Sequence, residues 1–179
     1  MNILITPTQT GGGSLPAEVP ADQRPLALND RAARAFSDFR ARHPVTVDEN
    51  STIDEALAAM IQHGVRAVLA MHDNRITGLI TSYDIQGETP LQFLQKSTYT
   101  RHEDIRVADI MTPWGQLSTI DYSAIAFLDV EDLLALFRSE AAPSHLLVVE
   151  AEAASPTVVR GIISRFWIER QLQTASNSY

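Results

Sequence analysis

A hydroxyl and a carboxylate three residues apart, Thr81 and Asp84, form a pair whose types and spacing could do chemistry. The apolar run from Gly78 to Ile80 predicts a buried strand that ends at Thr81, where a helix begins. Thr at a helix cap with an acid three residues on is a helix-capping pattern, and the free N–H groups of a helix start also favour anions. The pair can therefore close a helix end, bind a ligand, or do both.

Residues typical of enzymes and metal sites are scarce in this sequence. There is no cysteine, which excludes disulfides, thiolate zinc sites and cysteine nucleophiles. The five histidines show no His-x-x-x-His spacing, so a metal site would need residues that are distant in sequence. Neither Gly-x-Ser-x-Gly nor Gly-x-x-x-x-Gly-Lys occurs. We therefore expect no catalytic residues, no metal and no enzyme activity.

Composition narrows the class of protein. The chain has 179 residues, of which 45% are hydrophobic, enough for one compact domain or two small pseudo-repeated lobes with a buried core. Its net charge is −8 and Lys96 is its one lysine, which disfavours nucleic acid as a partner. No apolar run approaches the ~20 residues of a membrane helix, so we expect a cytoplasmic protein with no membrane contact. Residues 1–28 are rich in Gly and Pro, which predicts a mobile tail, or else a strap that orders against a partner.

The elements that would position Thr81 and Asp84 begin after a helix predicted over residues 29–43, where Ala32, Phe36 and Phe39 share one face. The sequence then predicts five segments in order. They are a short strand (Val45–Val47), an amphipathic helix that Thr52 caps and Gly64 ends (Thr52–His63), a buried strand (Ala67–Met71), a turn (Asp73–Asn74) and a second strand (Ile76–Ile80).

The same order recurs in the second half of the chain. The corresponding segments are Leu117–Asp121, Val130–Phe137, Leu146–Val149 and Gly161–Ser164. Such internal repetition predicts a mixed α/β fold of two β-α-β-β-α lobes, related by a pseudo-two-fold axis and packed sheet to sheet. We place the first repeat with its linker at residues 44–104, the second at 105–172, and a tail at 173–179.

The ordered set resembles a pair of CBS motifs, a Bateman module. The segments that carry the resemblance are Gly64-Val65-Arg66, Gly78-Leu79-Ile80-Thr81-Ser82-Tyr83-Asp84, Asp109-Ile110-Met111-Thr112-Pro113 and Gly161-Ile162-Ile163-Ser164. This resemblance implies a regulatory module that binds an adenosine-type ligand (AMP, ADP, ATP or S-adenosylmethionine) in a cleft between the repeats. It also implies a homodimer and a protein partner.

The resemblance assigns roles to six residues, each of which also has a plain structural explanation. Asp84 would hold the ribose with support from Thr81, while both also fit a helix cap. Val45 and the backbone at Val65 and Arg66 would hold adenine, although core packing also explains Val45. Arg66, or His145 reaching across from the second repeat, would meet a phosphate. Otherwise Arg66 is a solvated side chain and His145 is a hydrogen-bonded, partly buried one.

The second repeat departs from the motif, because Trp167 stands where the Asp would be. Trp cannot accept two ribose hydrogen bonds, so we expect one competent site and an altered or closed second one. Trp167 would instead be a core or dimer-interface aromatic, and Leu133, Leu134 and Phe137 would form an exposed apolar face for dimerisation. The alternative function is a ligand-free interaction module, in which Trp167 and the N-terminal tail bind a protein.

Overall fold

The structure is a computed structural model that describes residues 6–7, 26–99, 101–138, 143–150 and 157–176. The strands are β1 (Thr6–Pro7), β2 (Ser37–Asp38), β3 (Thr46–Asp48), β4 (Ala67–His72), β5 (Arg75–Thr81), β6 (Thr112–Pro113), β7 (Ser118–Asp121), β8 (His145–Glu150) and β9 (Val158–Ser164). The α-helices are α1 (Ile53–His63), α2 (Ser82–Gln86), α3 (Thr89–Lys96), α4 (Val107–Ile110), α5 (Tyr122–Ile125), α6 (Val130–Phe137) and α7 (Arg165–Ser176). None of these described helices is long and apolar enough to cross a membrane.

The chain divides into two compact units. The first-repeat unit contains residues 44–117, and the second-repeat unit contains residues 26–43 and 118–176 together with β1. Each unit has a sheet with helices packed on it, which is the mixed α/β architecture that the repeated pattern predicts.

The first-repeat unit has the strand order β3-β4-β5-β6, with β3 parallel to β4 and the other pairs antiparallel. Helix α1 makes the crossover that a parallel pair needs. The Thr52 hydroxyl accepts from the Glu55 N–H at 3.2 Å, and Gly64 ends the helix with a φ of 64°. The helix buries Ile53, Ala56 and Met60 in a core shared with β4 and β5, as its apolar periodicity predicts.

The second-repeat unit repeats this plan with the strand order β1-β7-β8-β9-β2. Strands β7 and β8 are parallel, and β8 and β9 are antiparallel. Helix α6 packs on this sheet through Leu133, Leu134 and Phe137, which are 0%, 8% and 2% exposed. The prediction that these three side chains form an exposed dimerisation face is therefore wrong, because they are the core of their own unit.

Each sheet is completed by a two-residue strand that precedes the other repeat in sequence. Strand β6 pairs with β5, and β2 pairs with β9. Glycine is required on both central strands. A Cβ at Gly78 would lie 2.6 Å from Met111 Sδ and 2.7 Å from Thr112 O, and a Cβ at Gly161 would lie 2.5 Å from the Phe36 ring. Residues 105–117 thus complete the first repeat, which corrects the predicted boundary at 104.

Three further expectations about the chain ends need correction. In place of a helix over 29–43, only Ala32–Arg34 form a 3₁₀ turn, because tertiary pairing takes the backbone groups: the Ala32 N–H donates to Leu128 O at 2.9 Å. Leu26 is buried in the core, so the predicted tail does not reach residue 28. Helix α7 continues to Ser176, beyond the predicted end at 172. The rest of the predicted N-terminal tail lies outside the described residues, except that β1 pairs with β7.

Candidate functional site

Thr81 and Asp84 lie at the junction of β5 and α2, and they form the cap that their spacing predicts. The Asp84 N–H donates to Thr81 Oγ1 at 3.3 Å. Asp84 Oδ2 accepts from the Thr81 N–H at 2.8 Å and from the Thr81 hydroxyl at 2.7 Å. The hydroxyl proton of Thr81, which is buried, is thus committed to Asp84. Thr81 therefore orients the carboxylate.

The second carboxylate oxygen of Asp84 is not used by this cap. Within the described part of the chain, Oδ1 accepts no hydrogen bond, and the side chain is only half-buried. An ionised carboxylate oxygen has two lone pairs, and a partly exposed one can accept hydroxyl donors from a ligand. The junction therefore holds an oriented acceptor beside the helix start, so capping and ligand binding are compatible.

Three other predicted residues lie at the same edge of this sheet. Ala67 at the start of β4 pairs with Thr81 at the end of β5, and the Ser82 N–H donates to Arg66 O at 2.9 Å. The half-buried Val45 accepts from the Leu69 N–H at 3.1 Å, which fixes it beside β4. Val65, also half-buried, donates its N–H to Met60 O at 3.0 Å.

The Arg66 side chain is exposed on this edge, with Nη1 3.5 Å from the Tyr83 hydroxyl. At that length the contact is at the limit of a hydrogen bond. Tyr83 is an exposed neighbour that motif reasoning did not assign; its position between Thr81 and Asp84 was the available signal.

His145 belongs to the other unit, on β8, where it is half-buried. Its Nδ1 lies 2.9 Å from Ser144 Oγ. That environment fits the hydrogen-bonded, partly buried histidine considered from sequence, and its contact with a ligand phosphate stays a prediction.

Two surface cavities of the first-repeat unit lie elsewhere. One, of about 590 Å³, lies at the β4–β5 turn beside Asp48, His72 and Asp73. The other, of about 410 Å³, lies between α1 and α3 and contacts Leu57 and Leu94. None of the six predicted site residues lines either cavity. The candidate site within this unit is thus an open sheet edge.

Known proteins share both the sequence pattern and the fold. Residues 36–88 match the profile of the CBS domain family. This part of the chain is therefore similar to a CBS domain. The profile covers β2 and the first repeat through α2, and the second repeat has the same arrangement of β7, α6, β8, β9 and α7.

Two solved structures carry the fold comparison. A proposed signal-transduction protein with CBS domains from Burkholderia ambifaria has a TM-score of 0.55 at 20% identity, over 80% of this chain and 90% of that one. An uncharacterized conserved protein from Pyrococcus horikoshii has a TM-score of 0.54 at 18% identity, over 86% and 97%. At these identities the likeness concerns the fold.

One curated relative matches a shorter stretch. The uncharacterized protein YlbB of Bacillus subtilis is 27% identical over 62 residues, which is 35% of this chain and 42% of that protein. The match therefore spans less than half of the relative's length.

The second repeat reproduces the backbone of the first site with different side chains. The Arg165 N–H donates to Ser144 O at 3.1 Å, as Ser82 does to Arg66. The Trp167 N–H lies 3.4 Å from Ser164 Oγ. This contact corresponds to the one between the Asp84 N–H and Thr81 Oγ1 in the first repeat. Trp167 is 39% exposed, so it is not the core aromatic considered from sequence. The junction keeps its cap and has no carboxylate at the position of Asp84.

The second-repeat unit also contains a charged and aromatic cluster that motif reasoning missed. Arg160, which is 8% exposed, lies with its guanidinium carbon 4.2 Å from the centre of the Tyr122 ring and bonds to Glu150. The guanidinium carbon of Arg40 lies 6.0 Å from the centre of the same ring, and Arg40 Nη2 lies 3.0 Å from Asp38 Oδ2.

The pKa of Asp38 responds to two opposing effects. Burial raises this pKa, but hydrogen bonds from the Arg40 side chain and backbone outweigh burial and hold the pKa below its ordinary value. The contributing residues are far apart in sequence, so no local pattern signals the cluster.

Proposed function

We propose that the chain is a regulatory module whose first CBS repeat binds an adenosine-type ligand and signals its presence to a protein partner. One observation carries the proposal: in the CBS motif position, Asp84 is fixed by Thr81 through Oδ2 while Oδ1 accepts nothing from the described residues. This is an acceptor held in place before a ligand arrives, which lowers the entropic cost of binding.

The ligand chemistry that fits this acceptor is a ribose. The 2′- and 3′-hydroxyls of a ribose are adjacent donors, and a carboxylate can accept from both. Hydrogen bonds to a charged group contribute about 1.5–3 kcal/mol each, more than neutral ones. Thr81 positions the carboxylate, and Val45 with the backbone at Val65 and Arg66 would contact the adenine.

The phosphate end of the ligand would meet Arg66. Arg66 is the exposed cation at this sheet edge, and the chain as a whole carries a net charge of −8. An acidic protein with a single arginine at the site favours a ligand with few negative charges. AMP or S-adenosylmethionine therefore fits better than ATP. A contribution from His145 and a cleft between the repeats stay predictions.

Signalling would follow from preferential affinity of the ligand for one arrangement of the protein. The ligand shifts the equilibrium towards that arrangement, and a partner, or a second copy in a homodimer, responds to it. No catalytic step is part of the proposal.

Thermal denaturation with and without AMP, ATP and S-adenosylmethionine tests the proposal. A ligand at about 100 times its Kd stabilises the folded state by about 2.7 kcal/mol, which is a clear rise in Tm. Asp84→Asn should abolish that rise. Asp109→Asn is the matched control, because Asp109 caps α4 in the same unit, with Oδ2 2.8 Å from the Arg106 N–H. No shift with any adenosine compound, or equal shifts in the two variants, would refute the role of Asp84.

A ligand-free interaction module is the second candidate. Phe166 and Trp167, adjacent in the first turn of α7, are each 39% exposed, and exposed aromatics are enriched at protein interfaces. Absence of any adenosine-dependent shift, together with a protein partner lost on Trp167→Ala, would favour this alternative.

A further inference from the structure

Strand β3 lies at one edge of the first-repeat sheet and, among the described residues, pairs with β4 alone. Val45 O accepts from the Leu69 N–H at 3.1 Å, so the odd-numbered residues of this segment bond to β4. Because the backbone groups of successive strand residues point in alternate directions, those of Thr46 and Asp48 point away from β4. Asp48 O accepts from the Ser51 N–H in a turn. The Asp48 N–H and both backbone groups of Thr46 therefore form the open edge.

The second repeat shows what such an edge can hold. Thr119 on β7 corresponds to Thr46, because it pairs with Leu147 on β8 as Thr46 pairs with Leu69 on β4. Strand β1 adds to β7 antiparallel, with Thr6 opposite Thr119. Thr119 is 5% exposed, whereas Thr46 is exposed. The same strand position thus holds an added strand in one repeat and, within the described residues, holds none in the other.

A charged side chain on an edge strand is one device that prevents unwanted strand pairing. The Asp48 carboxylate is instead turned back on its own loop, where Oδ1 accepts from the Asn50 N–H at 2.8 Å and from Asn50 Nδ2 at 3.1 Å. These hydrogen bonds hold the pKa of Asp48 below its ordinary value. Asp121 on β7 likewise accepts from the Ser123 N–H at 2.7 Å, and β1 still pairs with that strand. The carboxylate therefore leaves the edge open to pairing.

The surface beside this edge is acidic. The groove of about 590 Å³ is lined by all three residues of β3 and continues to the β4–β5 turn. The described residues that line it include Asp48, His72 and Asp73, and neither lysine nor arginine is among them. His72 lies between two carboxylates, 3.3 Å from Glu49 Oε1 and 3.5 Å from Asp73 Oδ2, and the Asp73 side chain is 88% exposed. Lysine or arginine side chains of a bound segment would complement this charge.

We propose that the open edge of β3 binds an extended, basic segment of a protein partner as an added antiparallel strand. The segment would pair with Thr46 as Thr6 pairs with Thr119, and its basic side chains would lie along the acidic groove. In recognition of this kind the main-chain hydrogen bonds give affinity, and the side chains give specificity. The edge exists without an adenosine-type ligand, so this proposal and the proposed function can fail separately.

Amide hydrogen exchange of the full-length chain, followed by NMR, tests the proposal. The probe is the blocked peptide Lys-Val-Lys-Thr-Lys-Val-Lys, and its matched control has glutamate in place of each lysine. Without peptide, the Thr46 amide should exchange rapidly and the Thr119 amide slowly, because only the second lies under an added strand. At a saturating concentration the lysine peptide should slow the Thr46 amide roughly tenfold and leave Thr119 unchanged, and the glutamate peptide should change neither.

A pair of variants isolates the edge hydrogen bond. Thr46→Pro removes an N–H that points away from β4, so it should weaken binding of the lysine peptide roughly tenfold while the sheet is retained. Thr46→Val keeps that N–H and is the matched control. If Thr46→Pro does not fold, two lysine peptides N-methylated at alternate amides replace it. One of them should bind as the parent peptide does and the other should not, because only every second amide faces β3.

Each result decides the proposal. A slow Thr46 amide in the chain without peptide would show that another part of the chain already covers the edge, and would overturn it. Equal slowing by the lysine and glutamate peptides would overturn the basic character of the partner. No slowing by the lysine peptide, or equal binding by the two N-methylated peptides, would overturn strand addition.

Discussion

Replacing Gly78 or Gly161 with alanine should destabilise the protein, because each glycine lets a two-residue strand approach its central strand. An added Cβ at Gly78 would lie 2.7 Å from the Thr112 carbonyl oxygen, where ordinary contacts are 3.4–4 Å. Relief requires a backbone shift of about 0.7 Å in β6, because a carbonyl cannot rotate away as a side chain can. Overpacking of this kind costs about 1–3 kcal/mol.

Gly115→Ala is the internal control for this pair. Apart from its two chain neighbours, no atom of the described residues lies within 4 Å of its ideal Cβ, so only the favourable effect of alanine on the unfolded chain remains. The assay is urea denaturation of the three variants and the wild type, followed by circular dichroism. We expect Gly115→Ala to stay within about 0.5 kcal/mol of the wild type. If Gly78→Ala and Gly161→Ala are as stable as Gly115→Ala, the strand pairing described for β6 and β2 is wrong.

Three further predictions follow from the same contacts. Asp84→Ala should lower the free energy of unfolding by about 1 kcal/mol, because the helix cap is lost. Asp84→Asn should lower it by less, because the amide oxygen still accepts hydrogen bonds. Thermal melts in which both variants equal the wild type would contradict this prediction. Asp38, whose pKa is lowered in the folded state, contributes stability that is present above its ordinary pKa and lost as the pH falls through the folded value. Urea midpoints should therefore show wild type and Asp38→Asn converging on acidification, and a constant difference would count against the Arg40 interaction. A fragment of residues 44–117 should melt cooperatively while 44–104 does not, because the shorter one lacks the core residues Ile105 and Val107; equal melting would contradict the unit boundary.

Short-range signals in the sequence predicted much of this fold. The capping boxes at Thr52 and Thr81 and the left-handed Gly64 were predicted correctly, since each depends on atoms within a few residues. The order of strands and helices followed from periodicity and repetition. The cap that Asp84 makes lies within one short segment, so local sequence predicted it, while its contact with a ligand stays a prediction.

Long-range pairing explains what the sequence did not predict. Ala32, Phe36 and Phe39 have helical spacing, yet the segment pairs with the second repeat in place of forming a helix. Strands β2 and β6 have two residues each, too few for a periodic signal. The contact of Arg160 with Tyr122 depends on a bulge, which no local pattern of side chains indicates.

A ligand without the two ribose hydroxyls tests the proposed role of Asp84 most directly. Calorimetric titration of the wild type with adenosine and with 2′,3′-dideoxyadenosine changes only the two hydroxyls that Asp84 would accept. We predict one adenosine bound per chain and an affinity for the dideoxy compound that is lower by at least about a hundredfold, because two charge-assisted hydrogen bonds are lost. Equal affinities for the two compounds, or binding of neither, would contradict it.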